Sequence, residues 1–381
     1  MRTTIIGIVV VVLFSVFGVA TWTYWKTYNT PEYEKLWGWF PTPRFIPLYE
    51  RKVQTDQVIK IGLITDTQVH PNRINRTDRR PDAPRHLGSI RDARPLKLFV
   101  ERMKEFQPQM IIHGGDIIEG TGDSDIVGMM GLSLVETELK SIGVPVYWVL
   151  GNHELRSVTK EQFRTTLSIT PMFREADQVI DVGDYRFILL DANYYPDGRV
   201  VEPGGKRHIP GYLHPETLAW LRTQLDTDRR VIVIMHQGAF DRGVRQWHSY
   251  DVESLRERQL ASIARNGART PWGNKRKKIA PPDYGPGGKL SITNAMDLRA
   301  LLAQYNVDAF INGHLEVALY EEADGVRYYS LTGTKKSPAF QESFYELTLR
   351  GGVPDLVMHY TDAVDLQPTT VDFEDTFRVR K

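Results

Sequence analysis

The sequence predicts an α/β fold. Apolar runs of strand length at 58–65, 110–113, 144–150, 185–190, 231–235 and 307–312 alternate with segments of helical periodicity. Clusters of Asp, Asn, His and Glu stand directly after those runs, which brings them to one edge of a sheet. A separate apolar stretch near the N-terminus has the length of a membrane span.

No charged residue occurs from Thr3 to Trp25, and Ile5 to Ala20 is nearly continuous Ile, Val, Leu, Phe and Gly. Trp22, Tyr24 and Trp25 follow as an interfacial aromatic belt would. Residues 1–25 are therefore expected to be one transmembrane helix acting as an anchor. Gly18-Val19-Ala20 also offers the small residues of a signal-cleavage site, so a secreted product is the alternative. The expected location is the membrane, single-pass, with the remaining chain on the exoplasmic side. Residues 26–56 interleave Pro31, Pro41, Pro43 and Pro47 with aromatic residues and read as a stiff stalk.

The first strand ends at Asp66-Thr67-Gln68, and a loop with seven arginines between Arg73 and Arg94 follows. That loop is a solvated segment or a basic border for an anionic substrate. Helical periodicity over 96–106 stops before Pro108, and the next strand delivers Gly115-Asp116 and Glu119. A helix over 132–142 precedes the strand that leads into Gly151-Asn152-His153-Glu154. Asp191 ends the following strand and is assigned to hydrogen bonding within its turn. A helix over 213–225 then leads to the strand that presents His236.

Residues 239–292 are irregular and rich in Arg, Lys, Gly and Pro, including Lys275-Arg276-Lys277-Lys278. So long a connection is unusual in a compact domain unless it serves function, and it is where substrate choice would be set. A helix over 293–305 and a strand over 307–312 bring in Gly313-His314-Leu315-Glu316, whose i, i+2 spacing puts His314 and Glu316 on one side of an extended segment. The runs at 317–320, 327–331, 344–349 and 356–360 alternate as antiparallel strands expected to complete a second sheet. The domain is expected to span 57–362, with a tail at 363–381.

The chain has 381 residues, a net charge of +1 and no cysteine. The charge argues against a general nucleic-acid binder. Without cysteine, disulfides, zinc ribbons and thiol nucleophiles are excluded, and any metal must be held by oxygen and nitrogen. Carboxylates, imidazoles and amide oxygens at successive strand ends suit a centre in which two cations about 3.5–4 Å apart hold a phosphate and activate water.

In their order, these islands resemble the calcineurin-like metallophosphoesterase superfamily, whose pattern runs D-x-H, G-D-x-x-D, G-N-H-D/E, a lone His after a strand, and G-H-x-H. The resemblance spans roughly Val58 to Tyr360. It implies a four-layer α/β/β/α sandwich and two divalent metal ions. The first ion would be held by Asp66, Gln68, Glu316 and the bridging Asp116, the second by Asp116, Asn152, His236 and His314. It also implies hydrolysis of a phosphate mono- or diester by water activated at that dinuclear centre, with His153 as proton donor or electrostatic stabiliser oriented by Glu119.

Two positions depart from the pattern: Gln68 and Glu316 stand where the family has His. Both fall on the first metal, and an all-oxygen shell favours manganese or magnesium over zinc. A membrane-tethered binding or scaffold protein with a weakened centre is the competing expectation. Retention of Asp116, Asn152, His153, His236 and His314 favours the enzyme.

Overall fold

The computed structural model describes residues 57–69, 94–120, 123–204, 211–239, 291–315, 318–334, 340–351, 353–362 and 368–372. The N-terminal apolar stretch, the stalk, most of the arginine-rich loop, the Lys275–Lys278 run and Glu316 lie outside these residues. Among the described residues no helix is long and apolar enough to cross a membrane.

The elements are β1 (Val58–Ile64), α1 (Arg94–Phe106), β2 (Met110–His113), α2 (Asp125–Lys140), β3 (Val146–Trp148), α3 (Lys160–Thr166), β4 (Gln178–Val182), β5 (Tyr185–Leu190), α4 (Pro215–Leu225), β6 (Arg230–Met235), α5 (Ala295–Leu302), β7 (Val307–Asn312), β8 (Leu319–Ala323), β9 (Val326–Ser330), β10 (Phe340–Arg350), β11 (Val353–Asp362) and β12 (Pro368–Asp372). They form two six-stranded sheets, ordered β12-β11-β10-β1-β2-β3 and β4-β5-β6-β7-β9-β8. Strands β1, β2 and β3 are mutually parallel, as are β5, β6, β7 and β9.

Three apolar clusters separate four layers. Ile59, Ile61, Leu63 and Leu347 meet Phe187, Leu189, Ile232 and Ile234 between the sheets. On the outer face of the second sheet, Ile188, Leu190, Val231 and Val233 pack on Leu221, Leu225, Leu298 and Leu302 of α4 and α5. Phe99, Met103, Leu132 and Val135 of α1 and α2 cover Ile111 and Trp148 of the first sheet. The period-two geometry of β5 and β6 thus sends alternate residues into different cores, so both faces are buried and the strands read as unbroken apolar runs.

Several boundaries differ from the sequence reading. The helix expected from 132 begins at Asp125 behind the N-cap Ser124, whose side chain accepts from Val127 N. Gly128 and Gly131 weaken helical propensity there, but a Cβ on Gly128 would meet Ser157 Oγ at 2.5 Å, so the glycine serves close packing. The late strands do not form one sheet. β8 and β9 extend the sheet of β7, while β10–β12 extend that of β1. Alternation marks a half-buried strand and carries no signal for which sheet takes it. The segment from 363, read as a tail, contributes β12, which pairs antiparallel with β11.

Candidate metal centre

The site is built where β1, β2, β6 and β7 end. Asp66, Gln68, Asp116 and His314 all have positive φ, at 52°, 43°, 53° and 64°. Left-handed backbone at non-glycine residues is sparse and costs about 1 kcal/mol or more each, so its concentration here marks a functional constraint. Main-chain bonds hold the path: Asp66 N donates to Gly115 O at 2.9 Å, Gln68 N to Asp116 O at 2.9 Å and Val69 N to Ile117 O at 2.9 Å.

Asp116, His236 and His314 each direct a ligand atom into one space, with these atoms within 4.8 Å of one another. His236 Nε2 lies 3.1 Å from Asp116 Oδ1 and 3.3 Å from His314 Nδ1. His236 Nδ1 donates to Gly114 O at 2.8 Å, which leaves Nε2 as the lone-pair nitrogen in the neutral ring. A lone pair facing a carboxylate and a second imidazole is unfavourable unless a proton or a metal cation stands between them. Burial opposes charge on His236, yet Asp116 overrides it and pushes this imidazole up to about 10. Asp116 is buried too, but His153 and His236 hold its carboxyl well below the usual range.

Asp66 accepts from His314 N at 3.1 Å and from Thr65 Oγ1 at 2.6 Å through the same oxygen, Oδ2. A Cβ on Gly313 would meet Thr65 Oγ1 at 2.2 Å and Asp66 Oδ2 at 2.6 Å, so only glycine lets this strand end approach. The Asn152 side-chain oxygen is buried and accepts no hydrogen bond. A buried amide oxygen without a donor fits a ligand that a cation would complete. Oxygen and imidazole donors together suit divalent metals.

His153 N donates to Asp116 Oδ1 at 2.8 Å, while its ring places Nε2 at 3.6 Å from Asp116 Oδ2 and Nδ1 at 3.5 Å from Glu119 Oε2. Burial disfavours the imidazolium, but Asp116 and Glu119 together raise the His153 pKa above its ordinary value. Arg156 Nη1 lies 3.3 Å from Glu119 Oε1, so the same carboxylate is gripped from its other oxygen.

Of the sequence-predicted residues, the structure brings together Asp66, Asp116, His153, Glu119, His236 and His314. Gln68 is buried beside Asp116 through its main chain. Glu316 lies outside the described residues.

Sequence reasoning quoted Glu154 without a role. It is fully buried and accepts from Ile117 N (2.5 Å), Ile118 N (3.1 Å), Gly151 N (2.9 Å) and Asp116 N (3.2 Å). A Cβ on Gly151 would lie 2.2 Å from Asp116 N, so glycine and carboxylate together let these two turns touch. His113, at the end of β2, is buried, stacks on Trp148 and lies 3.1 Å from Thr67 Oγ1 through Nε2. Burial lowers its pKa to about 3. Asp191 does accept from Asn193 N in its own turn, and it also receives buried Lys160 Nζ at 2.5 Å. Asn193 then donates to Leu150 O and accepts from Gln237, bracing the chain beside Gly151 and His236.

The chain belongs to the calcineurin-like phosphoesterase family, whose model matches residues 59–317. The family uses divalent metals. A 3',5'-cyclic adenosine monophosphate phosphodiesterase, CpdA of Pseudomonas aeruginosa, is 29% identical over 164 residues, covering 41% of this chain and 49% of that protein. The chain therefore spans about half the length of this curated relative. Among solved structures, a dimetal phosphatase from Danio rerio superposes with a TM-score of 0.54 at 18% identity, covering 83% of this chain and 99% of that one, a likeness of fold.

Proposed function

We propose that this member of the family is a metal-dependent phosphoesterase that hydrolyses a phosphate mono- or diester with water. The convergence of Asp116, His236 and His314 at strand ends carries the reading. Two divalent cations would be held, one by Asp66, Gln68, Asp116 and Glu316 and the other by Asp116, Asn152, His236 and His314. When bound, they supply Lewis-acid stabilisation of phosphoryl charge and activation of water. Manganese is the preferred metal at the first position because its donors are all oxygen, with magnesium, iron and zinc as alternatives.

The chain's own residues supply the rest. Glu119, gripped by Arg156, orients His153 through Nδ1 and leaves Nε2 at the side of Asp116. His153 is thereby placed to give a proton to the leaving oxygen or to offset its charge. The domain, read as 57–362, works on the exoplasmic side of a membrane, held by an N-terminal anchor at 1–25 and a stalk at 26–56. Secretion after cleavage is the alternative.

The deciding experiment offers an aryl phosphate monoester, a bis-aryl diester and a cyclic nucleotide with manganese, magnesium, zinc and iron in turn. The cyclic nucleotide is included because the Pseudomonas relative bears that activity in its name. Turnover should depend on added metal and vanish in Asp116→Ala together with bound metal. Full metal content and turnover in Asp116→Ala would sink the proposal, as would no turnover of any ester with any metal.

A further inference from the structure

Large apolar side chains are unevenly spread over the surface of the domain. Among the described residues the strongly exposed ones are Ile126, Met130, Met172, Phe173, Val200 and Val353, with Ile126 at 63% and Met172 at 61% exposure. Val353 pairs with Arg350, which pairs with Val58 at the start of β1, so it lies at the end opposite the metal centre. Of the other five, Ile126 and Met130 lie at the start of α2, and Met172, Phe173 and Val200 lie on connections, at the metal-bearing end.

Each placement follows from the chain path. Ile126 and Met130 occupy the first two turns of α2, which starts directly after the Asp116 loop and is tied to the α3 N-terminus by a Gln162–Asp125 bond of 3.1 Å. Met172 N donates to Asp177 O, and Asp177 Oδ1 accepts from Asp191 N just beyond the last residue of β5. Phe173 stacks on Trp220 at 5.3 Å yet stays 40% exposed. Val200 pairs with Tyr194 in the loop that follows Asp191. A lone exposed apolar residue is ordinary, but two adjacent pairs at one end, Ile126 with Met130 one helical turn apart and Met172 beside Phe173, mark a surface that is covered in use.

Two further observations name the cover. The chain carries its own membrane-length apolar stretch between Thr3 and Trp25. The segments that hold Arg73–Arg91 and Lys275–Lys278 leave the described domain at this same end, at Val69 and Ala239, and their sequence charge fits an anionic lipid surface.

We infer that the metal-bearing end docks on a lipid bilayer, with Ile126, Met130, Met172 and Phe173 entering its interfacial layer and the centre facing phosphate esters carried by lipids. The substrate clause rests on the proposed hydrolase, whereas the docking clause does not.

Because the chain has no cysteine, single labelling sites are clean. Met130→Cys, Met172→Cys and Val353→Cys would each carry an environment-sensitive fluorophore in the full chain, reconstituted into phosphatidylcholine vesicles containing phosphatidylglycerol. Labels at 130 and 172 should shift to the blue and be quenched by nitroxide lipids, while the label at 353 stays water-like. Water-like emission at all three positions overturns the inference, and so does equal quenching at all three. Blue emission without lipid quenching at 130 and 172 also overturns it, because a second copy or another part of this chain then covers the surface.

The triple variant Ile126→Asp, Met130→Asp, Met172→Asp supplies the functional arm. It should keep turnover of a soluble aryl phosphate within about twofold and lose about tenfold or more on a vesicle-borne phosphate ester, the effect of removing even one half-buried side chain from an apolar phase. Equal loss on both substrates would make these residues part of the fold or the active site and overturn the inference. If the wild type turns over no soluble ester with any metal, the hydrolase reading fails and the fluorescence alone decides docking.

Discussion

Replacing Glu154 by Gln leaves one acceptor oxygen where four main-chain N–H groups converge. Oε1 accepts from Ile117 and Ile118, and Oε2 from Gly151 and Asp116. Whichever way the new amide turns, it keeps one pair and sets its own NH2 against the other. Glu154 is fully buried, so water does not replace the lost acceptor. Two unmade buried hydrogen bonds at about 1–3 kcal/mol each predict a loss of about 2–6 kcal/mol. Against a typical stability of roughly 5–15 kcal/mol, that is a large fraction.

Burial and the adjacent Asp116 push the Glu154 carboxyl up to about 7. Urea unfolding at about pH 8.5 therefore compares the ionised carboxylate with the amide. The midpoint should fall without change of slope, and metal content should fall with it, because the Oε2 bonds join Gly151 to Asp116. A loss below about 1 kcal/mol would refute the clamp, since it would mean that the native group already behaves as a neutral acid or that other contacts hold the turns.

His153→Ala should keep metal content while turnover drops about 10²–10³-fold; Glu119→Ala should lose less, and the double variant less than the sum. Loss of metal in His153→Ala, or full additivity, would refute the assignment of roles. Gln68→His should strengthen zinc or iron relative to manganese, read by competitive metal binding, and an unchanged preference would mean that Gln68 does not touch the ion. Burial and Asp191 raise the Asp177 carboxyl from 3.8 to about 7, so the folded chain holds a proton that the unfolded chain releases, and this contribution is intact below 3.8 and lost as pH rises to about 7. Asp177→Asn should remove that fall, gaining about 1.4 kcal/mol relative to wild type for each pH unit across that window, and parallel stability–pH curves for the two proteins would contradict it.

Strands β1, β2, β5, β6 and β7 were legible because burial on both faces leaves nearly unbroken apolar runs, as at Val231–Met235. Helix α3 was not. It has seven residues, and only Phe163 is apolar, so its capping box at Thr159 and Gln162 was the signal available. The site was readable where chemistry and spacing coincide, at Asp116 with Glu119 and at Asn152 with His153. Glu154 stayed silent because its partners are main-chain N–H groups, which look alike in any sequence. The Lys160–Asp191 pair stayed silent for another reason: its members are 31 residues apart and meet only after folding.

The left-handed residues set the loop path of the candidate centre. Asp66, Gln68, Asp116 and His314 are aimed by backbone that each would avoid alone, and the cost is offset by main-chain bonds between neighbouring loops and by Asp66 Oδ2 receiving His314 N. None of those bonds uses the side chain of residue 68. On the proposed ligand set, a loop path held by these main-chain bonds would let imidazole replace the amide at 68 and alter the donor without moving the strand end. Gln68→His tests this directly. Altered metal preference at unchanged stability is the outcome expected of a pre-set path, whereas a fall in stability matching the change in metal binding would mean that the ligands themselves hold the loops in place.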